Sequence, residues 1–66
     1  MRFEIWQTPR GEQRWRWRLV AANNRKVATS GEGFTNRKDM LDSIVLVRGR
    51  NDWPIIDKAS GEEVMR

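Results

Sequence analysis

Arg14-Trp15-Arg16-Trp17-Arg18-Leu19 alternates cationic and apolar residues without a break. Successive side chains of a β-strand point to opposite faces, so Trp15, Trp17 and Leu19 share one face and Arg14, Arg16 and Arg18 the other. The stretch therefore predicts a strand with one buried side and one solvated side. Upstream, Arg2 to Gln7 repeats the period, with Phe3 and Ile5 on one face and Arg2, Glu4 and Trp6 on the other. Thr8-Pro9-Arg10-Gly11-Glu12 between them reads as a turn, which makes the pair an antiparallel hairpin. Residues directly opposite in such a pair share a face, and two registers satisfy this: Ile5 opposite Trp15, or Ile5 opposite Trp17. They set Glu4 against Arg16 or Arg18, and Trp6 against Arg14 or Arg16. Downstream, Asn23-Asn24 suits a second hairpin turn because asparagine tolerates positive φ, and Lys26 to Ser30 makes a third strand. A two-residue turn pairs Val20 with Val27, whereas a bulge brings Val27 onto the Leu19 face, and both remain open.

Gly31-Glu32-Gly33 breaks the third strand and reads as a corner with a positive φ. A helix follows, with Thr35 or Asn36 as its N-cap and Asp39 as a capping partner. Met40, Leu41, Ile44, Val45 and Val47 recur at spacings of three and four, an apolar stripe for packing onto a sheet. Arg48 followed by Gly49 is a helix stop. Trp53-Pro54-Ile55-Ile56-Asp57 is short and apolar, with proline suited to a strand's start or edge. Lys58-Ala59-Ser60-Gly61 turns the chain, and Glu62 to Met65 forms a last short strand. The expected fold is α+β: a three-stranded antiparallel meander, one helix, then two short strands.

The chain has 66 residues, of which 38% are hydrophobic and 33% charged, and reads as one domain over residues 1–66. A domain near this size buries only about 60% of the surface that its unfolded chain exposes. Such chains add disulfides, a metal or a partner subunit. With no cysteine and no histidine, disulfides and ordinary zinc sites are excluded, so self-association is the expected supplement. Thirteen Lys and Arg against nine Asp and Glu leave a net charge of +4, which permits polyanion binding without requiring it. The longest apolar runs, Leu19-Val20-Ala21-Ala22 and Ile44-Val45-Leu46-Val47, are too short for a membrane span or a signal peptide. The expectation is a soluble cytoplasmic protein that carries no cofactor.

Phe3-Glu4-Ile5, the run Trp15 to Asn24, Val27-Ala28-Thr29-Ser30, Phe34-Thr35-Asn36 and the helix ending Ile44-Val45-Leu46-Val47-Arg48 together resemble the YegP-like family of small proteins of uncharacterised function. The resemblance covers roughly residues 2 to 57 and carries no catalytic signature. It implies a unit of three strands, a helix and two strands, present as a tandem repeat or as a homodimer that exchanges its C-terminal strands. A single copy implies the homodimer, with a continuous sheet covered by helices on one face. Trp53, Ile55 and Ile56, in the strand to be exchanged, are then the candidate interface residues.

Enzymatic chemistry has little to work with. Histidine, cysteine and tyrosine are all missing, and a capped, solvated helix face explains Asp39 and Asp42 better than a shared proton does. Gly31-Glu32-Gly33 sits where a phosphate loop sits, but a glutamate between its glycines repels phosphate, and neither the dinucleotide fingerprint nor a P-loop Lys-Ser/Thr pair follows. The chain is expected to be non-enzymatic. The arginine face is its most specific feature. Arg14, Arg16 and Arg18 with Trp6 among them, extended by Arg25 and Lys26, make an aromatic and cationic sheet surface of the kind that binds single-stranded nucleic acid. A simpler structural explanation stands beside it: arginine stems cover sheet surface, Glu4 neutralises part of the stripe, and Trp6 makes a cation–π contact. Tryptophan and arginine are also enriched at protein–protein hot spots, so an unidentified protein is the alternative partner.

Overall fold

The computed structural model describes all residues from Met1 to Arg66. Its elements are β1 (Arg2–Gln7), β2 (Trp15–Val20), β3 (Lys26–Thr29), α1 (Arg37–Arg48), β4 (Ile55–Asp57) and β5 (Glu63–Val64). The five strands form one sheet in the order β3-β2-β1-β4-β5. β1 and β2 pair antiparallel with Ile5 opposite Trp17, Glu4 opposite Arg18 and Trp6 opposite Arg16. This is the second of the two registers that alternation allowed. The chain passes through α1 to bring β4 alongside β1 in parallel, so the sheet is mixed and β1 lies at its centre. No helix is long and apolar enough to cross a membrane.

The second hairpin follows neither of its expected pairings. Ala22, Asn23 and Asn24 form the loop, with Asn24 N–H donating to the Ala21 carbonyl at 2.9 Å and Asn24 itself at φ 66°. That loop sets Val20 opposite Lys26, while Leu19 faces Ala28. Val27 is the extra residue between these pairs and is left 52% exposed. Ala28, not Val27, therefore packs against the core.

Below one sheet face, Phe3, Ile5, Trp17, Leu19 and Ile55 meet Met40, Leu41 and Ile44 of the helix. Phe3, Ile5, Met40, Ile44 and Ile55 are fully buried. Each such side chain contributes about 1.5–3 kcal/mol by leaving water. Phe3 and Trp17 meet edge to face with centroids 5.5 Å apart. The Trp17 indole N–H donates to Ser43 Oγ at 2.9 Å, and that hydroxyl donates to the Met40 carbonyl at 2.6 Å. The large ring is thus buried with its one polar atom paired.

Asn36 is the N-cap: its side-chain oxygen accepts from Asp39 N–H at 2.8 Å, and its amide donates back to the Asp39 carboxylate at 3.1 Å. Gly49 ends the helix with φ 58°, a conformation that a residue with a Cβ adopts only with strain. The apolar stripe is narrower than its spacing suggests. Met40, Leu41 and Ile44 face the sheet, but Val45 and Val47 fall on the outer side at 37% and 50% exposure, next to Leu46 at 84%.

Gly31, at φ 72°, supplies the expected positive φ at the corner. Gly33 serves a different need, since a Cβ there would lie 1.9 Å from the Gln13 carbonyl oxygen. This close approach lets Phe34 and Trp15 exchange backbone hydrogen bonds of 2.8 and 3.0 Å, which extends the sheet beyond β3.

β4 pairs with β1 of its own chain, so exchange of the segment Trp53 to Asp57 between copies is not needed to complete the sheet. Ile55 belongs to this chain's core, and Ile56 is half-buried beside Glu4 on the opposite face. Trp53 precedes the strand and packs on Phe3 at 6.2 Å between centroids. The Pro54 carbonyl accepts from Phe3 N–H at 2.8 Å, which lets the ladder begin before the proline's missing donor matters.

Candidate functional site

The sheet face away from the helix is built in rows that cross the strands, because paired residues stand side by side. One row runs Ile56, Glu4, Arg18, Thr29. Glu4 accepts from Arg18 Nε at 2.6 Å and from Arg2 Nε at 3.1 Å, with its own side chain only 13% exposed. Desolvation pushes the Glu4 carboxyl up, but the hydrogen bonds from Arg18 and Arg2 and their charges outweigh it and hold its pKa below the ordinary glutamate range. This row is therefore neutralised from within. Arg2 also donates to Asn24 Oδ1 at 2.9 Å, and Val20, between its cross-strand neighbours Arg2 and Lys26, is buried on this otherwise solvated face.

The adjacent row is different. Trp6 stands opposite Arg16, and Lys58 follows β4 at the position that continues its register with β1, its N–H donating to the Ile5 carbonyl at 3.0 Å. The Lys58 ammonium lies 5.7 Å from the Trp6 ring centre and the Arg18 guanidinium 5.8 Å from it. Arg16 reaches toward β3 and donates to the Gly31 carbonyl at 3.0 Å. Ion pairs in the molecule involve Arg2, Arg18, Lys38 and Arg66 as the cations, and neither Lys58 nor Arg16 is among them. The row Lys58–Trp6–Arg16–Gly31 thus presents an aromatic ring with an uncompensated cation on either side.

The other expected members are placed unevenly. Lys26 lines a depression between β2 and β3 with Arg16 and Arg18. Arg14 precedes β2, where its carbonyl accepts from Thr8 N–H at 2.9 Å, and its exposed side chain is tied to nothing. Arg25 sits in the β2–β3 turn opposite Ala21, about 16 Å along the strand direction from Arg16 at roughly 3.3 Å per residue, and does not join the Trp6 row. Lys58 is the member that sequence reasoning missed. Its alternation with Ile56 is visible in the sequence, but its place beside Trp6 depends on the parallel β1–β4 pairing.

Elsewhere, Asp39 is engaged in the helix cap, and Asp42 lies between Lys38, at 3.0 Å, and Arg66. The hydrogen bond from Lys38 is the leading cause of the lowered Asp42 pKa. Arg66 also offers its carbonyl to the Arg48 guanidinium, so the C-terminal residue is held against α1. No three acidic residues converge where a metal ion would be held.

Two curated proteins are similar to this chain over most of its length. A UPF0339 protein of Neisseria meningitidis serogroup B is 40% identical over 48 residues, covering 73% of this chain and 80% of its own. A UPF0339 protein of serogroup A of the same organism matches with the same identity and coverage. No solved structure matches. Residues 12–51, from the β1–β2 turn to just past the helix, match the family described as a domain of unknown function, DUF1508. That span includes Arg14, Arg16, Arg18 and Lys26 but not Trp6 or Lys58. By this match and by the identity to its relatives, the chain belongs to the DUF1508 family, the small YegP-like proteins of unknown function.

Proposed function

We propose that the helix-free face of the sheet is a non-catalytic binding surface for single-stranded nucleic acid. The observation that carries this reading is the row Lys58–Trp6–Arg16, in which a half-buried indole is flanked by cations that no carboxylate pairs. Stacking of one base on an aromatic ring contributes about 1–3 kcal/mol and tolerates any base. Phosphates on either side of that base meet Lys58 and Arg16, and release of their counterions makes affinity fall with salt. The test is fluorescence anisotropy of labelled mixed-sequence single-stranded RNA and DNA with the wild-type protein and with the Arg16→Glu, Lys58→Glu double variant, at low and near-physiological salt. Saturable binding that weakens with salt and is lost in the variant is the expected result. Equal binding by the variant, or none by the wild type at low salt, discards the reading and turns the search to protein partners.

Self-association is a second part of the proposal, supported by the exposure of Leu46, at 84%, and Met65, at 82%. A dimer built on these residues dissociates when Leu46 becomes Glu, whereas a dimer built by exchange of β4 does not. Sedimentation of the wild type and the Leu46→Glu variant separates the two, and a wild-type monomer at high concentration removes both.

A further inference from the structure

Between β2 and β3 the open face sinks into a depression of about 240 Å³, whose lining includes Arg16, Arg18, Lys26, Thr29 and Ser30 beside Trp6. Its donors are not equivalent. Arg18 is committed to Glu4. Arg16 is oriented by its bond to the Gly31 carbonyl, which uses one of its five N–H groups and leaves the rest. Lys26 is in no ion pair. The Thr29 hydroxyl oxygen accepts from Gly31 N–H at 3.1 Å, so its hydrogen remains free to donate, whereas Ser30 stands opposite Trp17 and follows the covered face. No carboxylate lines the depression.

A guanidinium, an ammonium and a hydroxyl donor around one space, without a competing anion, match a tetrahedral oxyanion. Resting on the single-strand reading above, we propose that this depression seats one backbone phosphate of the strand whose neighbouring base stacks on Trp6. The nucleic acid then crosses the sheet transverse to its strands, along the row Lys58–Trp6–Arg16–Gly31. The alternative path, parallel to the strands, runs over Glu4, whose carboxylate repels phosphate and already occupies Arg2 and Arg18. β1 and β3 are two inter-strand spacings apart, roughly 10 Å, which places the seat within reach of a nucleotide adjoining the stacked one.

The test is a salt series of oligo-dT and oligo-U binding by wild type, Lys26→Met and Thr29→Val, read by quenching of tryptophan fluorescence, with inorganic phosphate as competitor. Lys26→Met is expected to reduce the slope of log affinity against log salt by about one while quenching persists. Thr29→Val is expected to weaken binding roughly tenfold, as loss of a hydrogen bond to a charged group does. Circular dichroism of both variants checks the fold. Oligonucleotide binding with an unchanged slope in Lys26→Met and unchanged affinity in Thr29→Val overturns the seat but leaves the single-strand reading standing. No oligonucleotide binding by the wild type removes both. Saturation by inorganic phosphate without oligonucleotide binding identifies free phosphate as the ligand and overturns the nucleic-acid path.

Discussion

On one face of β1 and β2, Phe3, Ile5, Trp17 and Leu19 lie under α1 and are shut off from water; on the other, their sequence neighbours Glu4, Trp6, Arg16 and Arg18 meet it. The same backbone carries both faces. A slip of one residue in strand phase would exchange them, so burial of the first set dictates the presentation of the second. The two tryptophans show the division most sharply. Trp17 spends its indole N–H on Ser43 beneath the helix, whereas the Trp6 ring has the Arg18 guanidinium and the Lys58 ammonium over it. Stability therefore rests on the covered face, and the open face carries charge arranged for contact.

The largest expected break in this comparison is Ile44→Ala. Ile44 is fully buried between helix and sheet, and its truncation should cost about 2–5 kcal/mol. Total stability for a chain of this size is on the order of 3–10 kcal/mol, so urea denaturation should show the variant largely unfolded or close to it. Trp6→Ala, on the other face, should keep the urea midpoint near wild type. Equal losses from the two would contradict the division between faces.

Ser43→Ala is the next test. It leaves the Trp17 indole N–H without its partner in a site 5% exposed, which should cost about 1–3 kcal/mol in the same measurement.

Glu4→Gln sharpens the comparison through pH, with a smaller effect, below about 1 kcal/mol, as for pairs still partly open to water. Because the Glu4 pKa is lowered in the folded protein, its contribution is complete above the ordinary glutamate range and is lost as pH falls through the lowered value. Wild type should thus be the more stable at neutral pH, with the gap closing in acid. The same substitution frees Arg2 and Arg18, so single-strand binding should tighten and grow steeper in salt.

Alternation was strong enough to place β1, β2 and both their faces, because character changes at every residue from Arg14 to Leu19. The helix stop is equally legible from Arg48 and Gly49, whereas its start is left between Thr35 and Asn36, and the structure caps it with Asn36. Local sequence said less where three-dimensional competition decides. Val45 and Val47 match a helical stripe, but α1 meets the sheet along a line through Met40, Leu41 and Ile44, and those valines fall outside it. Local sequence leaves Val27 either opposite Val20 or bulged onto the Leu19 face, and the three-residue loop around Asn24 instead makes it the extra residue of a bulge, with Ala28 turned inward. Two of the three residues of the candidate row were readable for the same reason. Trp6 and Arg16 follow from alternation, but Lys58 joins them only through the parallel pairing of β4 with β1, a long-range contact that no local period encodes. The neutralised state of Arg18 follows from register, and Arg25 drops out once the length of β2 separates it from Arg16.

Trp6 and Trp17 also supply the most direct measurement, since their indole N–H resonances report the two faces separately. We would record proton–nitrogen correlation spectra of the labelled protein during addition of unlabelled oligo-dT at low salt. The account predicts a progressive, saturable shift of the Trp6 indole signal with those of residues around Arg16 and Lys58, while the Trp17 indole signal stays in place. An unmoved Trp6 signal, or a Trp17 signal that moves as far, would contradict it.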